Sequence, residues 1–287
     1  MFKKFSFFIF SICTVFLFSQ SSLFLNIVPA AKPASLGEAY TAIAEDIYGV
    51  FYNPAVAGKL TNRQAAVSYL TLYEGINYVY ATYAHMLKNG SSITAQVGRI
   101  DYGEIEKYSG GQFEGTVSPY SMFLSVSYGK RLITKPNISI GFSSKFIQEK
   151  LENTATALAF DAGMVYDLKE KPWVIGISVL NVGSGIKFKN EKDNLPLTVR
   201  IGTGYRYKEQ VKLSADISFS KNSIEECLGI EYCLTQFVIR AGYSTLSNIS
   251  VGIGINLDRF ALDFAYNTQG VKDLGEIFKI SFCLKKL

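Results

Sequence analysis

The sequence predicts an all-β protein: a transmembrane antiparallel β-barrel of about fourteen strands with a small helical N-terminal plug. Three observations lead to this prediction. After residue 63, apolar and polar residues alternate over segments of about ten residues. The connections between these segments are tight on one side and longer on the other. One long stretch, residues 36–57, does not alternate, and it precedes all the predicted strands.

The first 21 residues predict a secretory signal peptide. Lys3 and Lys4 give a basic start, and residues 5–18 form an apolar run. That run is shorter than the roughly 20 residues of a spanning helix, and small polar residues follow it, as at a cleavage site. An uncleaved membrane anchor is the alternative. The predicted division is a signal peptide over 1–21, a plug segment over 22–63 and a barrel over 64–287.

The composition indicates a protein that is unusually apolar and only mildly basic. The chain is 48% hydrophobic and 18% charged, which is apolar for a water-soluble domain of this size. Its formal net charge is +5, and loss of Lys3 and Lys4 with the signal peptide lowers that charge by two. Nucleic-acid binding favours clustered basic faces, so we expect no nucleic-acid partner.

Residues 36–57 predict a compact helical unit. From Leu36 to Ile47, apolar residues recur at intervals of three and four, the period of one helix face. Asn53 can cap a following short helix, and Pro54 suits its first position. Small residues keep the segment slim enough to enter a barrel; a segment lying flat beneath the barrel mouth is the alternative. The candidate plug residues are Leu36, Gly37, Ala39, Tyr40, Ala42, Asn53, Pro54 and Ala55.

Fourteen segments after the plug have the period of a β-strand. Leu124 and Val126, for example, alternate with Ser125 and Ser127. The predicted strands cover residues 64–73, 77–87, 91–100, 119–130, 137–148, 154–168, 173–182, 196–207, 211–221, 224–234, 237–244, 248–256, 259–267 and 275–285.

Strand length distinguishes a membrane barrel from a water-soluble sandwich, whose strands also alternate. Ordinary strands have about 5–6 residues, whereas these have about ten, as a tilted membrane strand requires. Tyr120 and Tyr128 stand roughly 27 Å apart along one strand, or about 20 Å of membrane depth after tilting. Such spacing predicts aromatic girdles on both sides of an apolar band.

The connections predict an orientation. Tight turns, such as Asn89-Gly90, follow even-numbered strands, and the long loops at 101–118, 183–195 and 268–274 follow odd-numbered ones. Outer-membrane barrels have short periplasmic turns and longer external loops. We therefore expect a bacterial outer-membrane protein surrounded by lipid, with both chain termini in the periplasm and the plug entering from that side.

Charged residues lie on the polar side of the predicted strands, where they would face the lumen. They are mixed in sign, and no ring of one sign is evident. Two interpretations remain open: a network satisfied against the plug, and a permeation path with tuned selectivity. The candidate lumen residues are Lys145, Asp161, Arg200, Arg206, Asp216, Glu231, Arg240, Asp263 and Lys279.

The sequence predicts no enzyme, no metal site and no cofactor. Its one histidine, His85, has no surrounding motif of a serine hydrolase. Gly252-Ile-Gly254 lacks the third glycine and the following helix of a phosphate-binding loop, and it predicts a lumen-facing run of small residues instead. Cys227 and Cys233 lie on one face of one strand, too far apart to form a disulfide.

Residues 36–55, LGEAYTAIAEDIYGVFYNPA, resemble the N-terminal signature of PorV/PorQ-like outer-membrane proteins and, more distantly, of FadL-like transporters. The shared features are a run of small residues, an acidic pair and an aromatic-Asn-Pro-Ala ending. The PorV/PorQ resemblance implies an accessory or scaffold barrel for protein secretion of type IX and surface attachment, with secretion-system proteins or secreted cargo as partners. The FadL resemblance implies the alternative, passive transport of a hydrophobic small molecule.

Overall fold

A computed structural model describes residues 22–72, 75–132, 137–168, 171–188, 191–208, 210–221, 223–268 and 277–287. The predicted signal peptide, residues 1–21, lies outside the described residues.

The described chain is a closed antiparallel barrel of fourteen strands, as the sequence predicts. Each barrel strand pairs with its neighbours in the chain, and the first pairs with the last to close the ring, from Gln64 opposite Lys285 to Thr71 opposite Phe278. The strands of the barrel are β1 (Gln64–Thr71), β2 (Asn77–Met86), β3 (Ser91–Asp101), β6 (Tyr120–Leu132), β7 (Asn137–Lys150), β8 (Thr154–Asp167), β9 (Trp173–Gly183), β12 (Thr198–Tyr207), β13 (Val211–Ser220), β14 (Ser223–Leu234), β15 (Phe237–Ser244), β16 (Asn248–Asn256), β17 (Phe260–Asn267) and β18 (Ile277–Lys285).

Two of the predicted loops contain structure that the sequence analysis missed. β4 (Ile105–Ser109) pairs with β5 (Gln112–Val117), and β10 (Ile186–Phe188) pairs with β11 (Glu191–Asp193). In the first hairpin, Tyr108 and Phe113 pack across the strands with ring centroids 5.7 Å apart. Gly110 and Gly111, both with positive φ, supply the backbone geometry that a tight hairpin turn requires.

The two ends of the barrel differ. One end, which we call the turn end, carries the short connections after β2, β6, β8, β12, β14 and β16, together with the start of β1 and the end of β18. The other, the loop end, carries both hairpins and residues 268–276. Four connections at the loop end are also short, at 72–76, 151–153, 221–222 and 245–247, so the predicted asymmetry holds for the longest loops only.

The barrel wall presents apolar side chains outward and small or polar side chains inward. Leu124 and Phe160 are exposed on the outer face, whereas their neighbours Ser125 and Asp161 are buried on the inner face. Aromatic residues mark both borders of the apolar band: Trp173 packs against Tyr205 at the turn end, and Arg99 lies 4.1 Å from the Tyr120 ring at the loop end. The predicted strand register is therefore confirmed.

Residues 22–63, which we call the plug segment, run inside the barrel. The segment contains a 3-10 helix (Leu23–Asn26), α1 (Ala31–Ser35) and two more 3-10 helices (Ile47–Phe51 and Pro54–Lys59). Its residues touch the inner faces of strands around the ring, from β6 and β7 through β9 and β12 to β15 and β16. Within the described residues, no helix has the length and apolar character needed to cross a membrane.

The predicted helix from Leu36 to Ile47 is wrong. Gly37 and Glu38 both adopt left-handed backbone geometry, with φ of 58° and 69°, directly after α1. The chain then runs without regular structure to Ile47. Leu36, Tyr40 and Ile43 are all buried, because the barrel encloses the segment on every side, and so their spacing does not define one face of a helix.

The plug segment starts at the opposite end of the barrel from the one predicted. Phe24 packs near Phe123, close to the loop-end start of β6, with ring centroids 6.4 Å apart. The segment then descends to the turn end around Glu45, rises to Phe51 and descends again before β1. The expectation that both ends of the mature chain share one end of the barrel is thus wrong for the described residues, since Phe24, Leu25 and Val28 are buried at the loop end.

Candidate functional site: the plugged lumen

Asn53 fastens the plug segment to the barrel wall. Its side-chain oxygen accepts a hydrogen bond from the backbone N–H of Ala55, which caps the helix that begins at Pro54. Its amide nitrogen lies 3.2 Å from the Met164 carbonyl oxygen of β8 and 3.3 Å from the Ile177 carbonyl oxygen of β9. A completely buried amide therefore joins a local cap to two strands, which accounts for an Asn before this Pro.

A buried carboxylate and guanidinium hold the middle of the plug segment. Asp216 accepts hydrogen bonds from the backbone N–H groups of Tyr40 and Thr41, at 2.9 and 2.8 Å. Arg200 donates to the Thr41 hydroxyl and to the Glu38 carbonyl oxygen, and its guanidinium lies 3.9 Å from Asp216. Two of the predicted lumen charges thus satisfy backbone groups that irregular structure would leave unpaired.

Glycines in the wall let the plug backbone touch the strands. A Cβ atom on Gly242 of β15 would overlap the Gly37 nitrogen, and one on Gly141 of β7 would overlap the Pro54 carbonyl oxygen. Gly252, in the predicted run of small residues, faces Ser35 in the same way. The small residues of the plug and of the wall therefore complement one another.

Ion pairs tie the plug segment to the wall at the turn end. The Glu45 carboxylate lies 2.9 Å from Arg206 and 2.9 Å from Lys212, and Lys59 lies 3.5 Å from Asp167. Burial alone would raise the pKa of the Glu45 carboxyl, but Lys212 and Arg206 lower it to about 2. The carboxylate therefore stays charged at neutral pH.

The remaining lumen charges form pairs across neighbouring strands. Arg240 lies 2.7 Å from both Glu231 and Asp263. Lys145 lies 3.0 Å from Asp161 and donates a hydrogen bond to Asn181 at 2.8 Å. These buried groups are mutually satisfied and line no continuous ring of one sign. Lys279, the last predicted lumen residue, stands apart from these pairs, near the loop end.

A cavity of about 810 Å³ occupies the lumen at the loop end, above the plug segment. Its floor includes Glu38, Phe51 and Tyr52. Polar residues of the loop end line part of its wall, and apolar residues such as Ile100 and Ile277 line another part.

Sequence reasoning missed several residues of this site. Glu45 and Asp167 were not among the predicted lumen residues, although Glu45 belongs to the acidic pair of the plug signature. Asn181 was missed because it sits at an irregularity between β8 and β9, where the register shifts and its φ is 61°. Strict alternation gives no signal for such a position.

The one histidine and the inward-facing hydroxyl groups of β1 and β2 lie on opposite faces of the barrel wall. His85 points outward beside Tyr83, whereas Ser68 and Thr82 are buried inside the barrel. Cys227, Cys233 and Cys283 are free thiols. The described residues contain no cluster of three or more His, Cys, Asp or Glu side chains suited to a metal ion.

The fold is similar to that of solved hydrocarbon channels. The Pseudomonas putida toluene transporter TodX aligns with a TM-score of 0.62 and 11% sequence identity, over 90% of this chain and 97% of that one. A Pseudomonas aeruginosa FadL homologue aligns with a TM-score of 0.57 and 10% identity, over 90% and 98% of the two chains. At such identities the similarity shows the fold alone. No curated protein matches the sequence significantly.

One protein family matches most of the chain. Its family model, described as "Type IX secretion system membrane protein PorP/SprF", covers residues 48–282, from the plug segment into the last strand. The prediction of a type IX outer-membrane barrel is confirmed, and the finer PorV/PorQ likeness stays a prediction. The chain belongs to the PorP/SprF family of type IX secretion system membrane proteins, which is not an enzyme family.

Proposed function

We propose that this protein is a closed accessory barrel of the secretion system, one that holds partner proteins or secreted cargo at its loop end and conducts nothing through its lumen. This is the scaffold role that the PorV/PorQ resemblance implies. The observation that carries the proposal is the use of the lumen charges: Asp216, Arg200 and Arg206 bind the plug segment. Charges that serve a permeation path would instead face open solvent.

The β4–β5 hairpin is the proposed contact surface for such partners. Ile105, Tyr108 and Phe113 are all more than half exposed, and they lie beyond the Arg99–Tyr120 border of the apolar band. Exposed apolar groups in the aqueous phase are typical of protein interaction sites. Both outer edges of the hairpin are also free of strand partners among the described residues.

We further propose the orientation of the predicted topology, with the turn end in the periplasm and the loop end outside the cell. The long connections at the loop end support this orientation, because outer-membrane barrels place their longer loops outside. Residues 1–21 would be removed on export, so that the mature chain starts near Ser22.

A paired substitution in the hairpin tests the scaffold role. The double variant Tyr108→Ser, Phe113→Ser should reduce the amount of type IX cargo at the cell surface, while the barrel still shows heat-modifiable migration on a detergent gel. Thr116→Ser, in the same hairpin, is the control and should change neither readout. Unchanged cargo in the double variant would contradict a contact role for the hairpin.

A second candidate function is passive transport of hydrophobic small molecules, as in the alternative resemblance. The loop-end cavity favours it, because part of its wall is apolar. A strain lacking the protein separates the two functions: loss of surface cargo with normal uptake of a labelled aromatic hydrocarbon supports the scaffold. The reverse pattern supports transport.

A further inference from the structure

Glu38 has an unusual backbone conformation at the floor of the loop-end cavity. Its φ of 69° lies in the left-handed region, which is unfavourable for a residue other than glycine. The bond from Arg200 to the Glu38 carbonyl oxygen and the bonds from Tyr40 and Thr41 to Asp216 hold this geometry in place. With the backbone held in this way, the Glu38 side chain lines the cavity.

Two buried acceptor atoms in residues of the cavity wall have no hydrogen-bond partner within the described part of the chain. They are the Oε1 atom of Glu225 and the Oδ1 atom of Asn267, in side chains that are 7% and 1% exposed. The amide nitrogen of Asn267 is already engaged by Ser250, at 2.6 Å. Buried acceptors of this kind normally find a donor, and both residues belong to the lining of the cavity.

The carboxyl groups around this space outnumber the cationic groups by one. Lys145 is paired with Asp161, and Arg200 lies against Asp216. Glu38, Glu225 and Lys279 remain, and the described residues provide Lys279 with no ion-pair partner within bonding distance. Two carboxyl groups therefore face one ammonium group.

This excess is reflected in the titration of Glu38. Burial raises the pKa of its carboxyl to about 8, and the nearby Glu225 adds to the rise, against the opposing charges of Arg200 and Lys279. At neutral pH the carboxyl is therefore largely protonated, and an added positive charge would favour its ionised form.

We propose that the floor of the loop-end cavity binds a primary ammonium group carried on a small, partly apolar molecule. The three N–H donors of an ammonium group match the acceptors of Glu38, Glu225 and Asn267. The aliphatic stem would lie against Ile100 and Ile277. This inference goes beyond the secretion role and does not depend on it.

Calorimetric titration of the purified full-length protein in detergent tests the proposal. The probes are hexylammonium and a blocked Gly-Lys-Gly peptide, which separate a free amine from a lysine side chain as the source, and hexanoate is the comparison of opposite charge. Either amine should bind, and hexanoate should not. Absence of binding by both amines would overturn the proposal.

The pH dependence supplies a second readout. Because the ammonium group favours ionised Glu38, affinity should rise about tenfold from pH 6.5 to pH 8.5, while the amines stay protonated. Binding should also release protons, measurable as a dependence of the heat on buffer ionisation. In a Lys279→Gln background, which lacks the competing ammonium group of the wall, Glu38→Gln should abolish this pH dependence, and its persistence there would count against the assignment.

Two variants with opposite expected effects on amine binding distinguish a change in the site from a failure to fold. Glu225→Gln should weaken amine binding about tenfold, whereas Lys279→Gln should strengthen it by removing the competing ammonium. Glu226→Gln is the matched control, because Glu226 neighbours Glu225 on β14 but is exposed on the outer face. Equal weakening by the changes at 225 and 226 would refute the site.

Discussion

Charged side chains are paired at the turn end of the lumen, whereas at the loop end they line a cavity. At the turn end, Glu45 of the plug segment meets Arg206 and Lys212 of the wall, and Lys59 meets Asp167. At the loop end, Glu38 and Glu225 line a cavity, and two buried acceptor atoms of its lining residues have no partner among the described residues. The difference indicates that the plug segment is tied to the wall by ion pairs at the turn end and borders a cavity at the loop end.

Removing most of the plug segment should have the largest effect on conductance. Deletion of residues 36–57 should convert a nearly non-conducting protein into a steady pore in planar bilayers, because a barrel of fourteen strands is close in size to barrels with aqueous channels. The intact protein is the control. Equal conductance of intact and deleted forms, with both folded, would show that the plug segment seals nothing.

Weakening the contact between the plug segment and the wall should have a smaller effect on conductance. In Gly242→Leu, the new side chain would enter the space of the Gly37 backbone, and overpacking of this kind costs about 1–3 kcal/mol or more. We expect intermittent conductance and a lower unfolding temperature. Ala241→Leu, the adjacent outward position on β15, is the control; if it lowers stability as much, contact with the plug segment is not the cause.

Acid should weaken the turn end selectively. The pKa of Glu45 is about 2 in the folded protein against an ordinary value of 4.5, so its contribution is complete above about pH 4.5 and is lost as the pH falls toward 2. The Glu45 side chain is 42% exposed, so solvent screens these pairs and the effect should be modest.

Conductance recorded between pH 5 and pH 3 measures this loss. Leak should rise as the pH falls in the intact protein, and Glu45→Gln should leak already at pH 5. Glu114→Gln, in the exposed β4–β5 hairpin, should behave as the intact protein does. A leak that does not change with pH would show that Glu45 does not help to close the lumen.

The smallest perturbation tests which end is outside. Protease added to intact cells should cut at Gly110-Gly111 before it cuts the turn at residues 87–90, since the proposed orientation exposes only the loop end. Permeabilised cells provide the control, because both sites become accessible there. Early cleavage at residues 87–90 in intact cells would invert the orientation.

The barrel could be predicted from the sequence because its wall has an outside of lipid and an inside of polar groups. Residues such as Leu124 and Ser125 therefore alternate strictly, and strand number and register follow from the period. The plug segment has no such two-sided environment. It is buried in all directions, and its conformation depends on wall residues that are distant in the chain, such as Asp216 and Gly242.

The ion-pair partners of the lumen charges also could not be predicted from the sequence. Alternation placed Arg240 and Glu231 on the inner face, but their contact follows from the pairing of β14 with β15. The irregularity at Asn181 and the left-handed Glu38 are local departures from regular geometry. They are visible only once the neighbouring chain that stabilises them is in place.

The hydrogen bonds at the closing seam couple closure of the ring to packing of the plug segment. Ser281 of β18 bonds with Ser68 of β1, at 2.7 Å, and also accepts from the Ala31 backbone N–H of the plug segment, at 2.8 Å. One hydroxyl group therefore serves both the last strand pair and the plug segment, so that each stabilises the other.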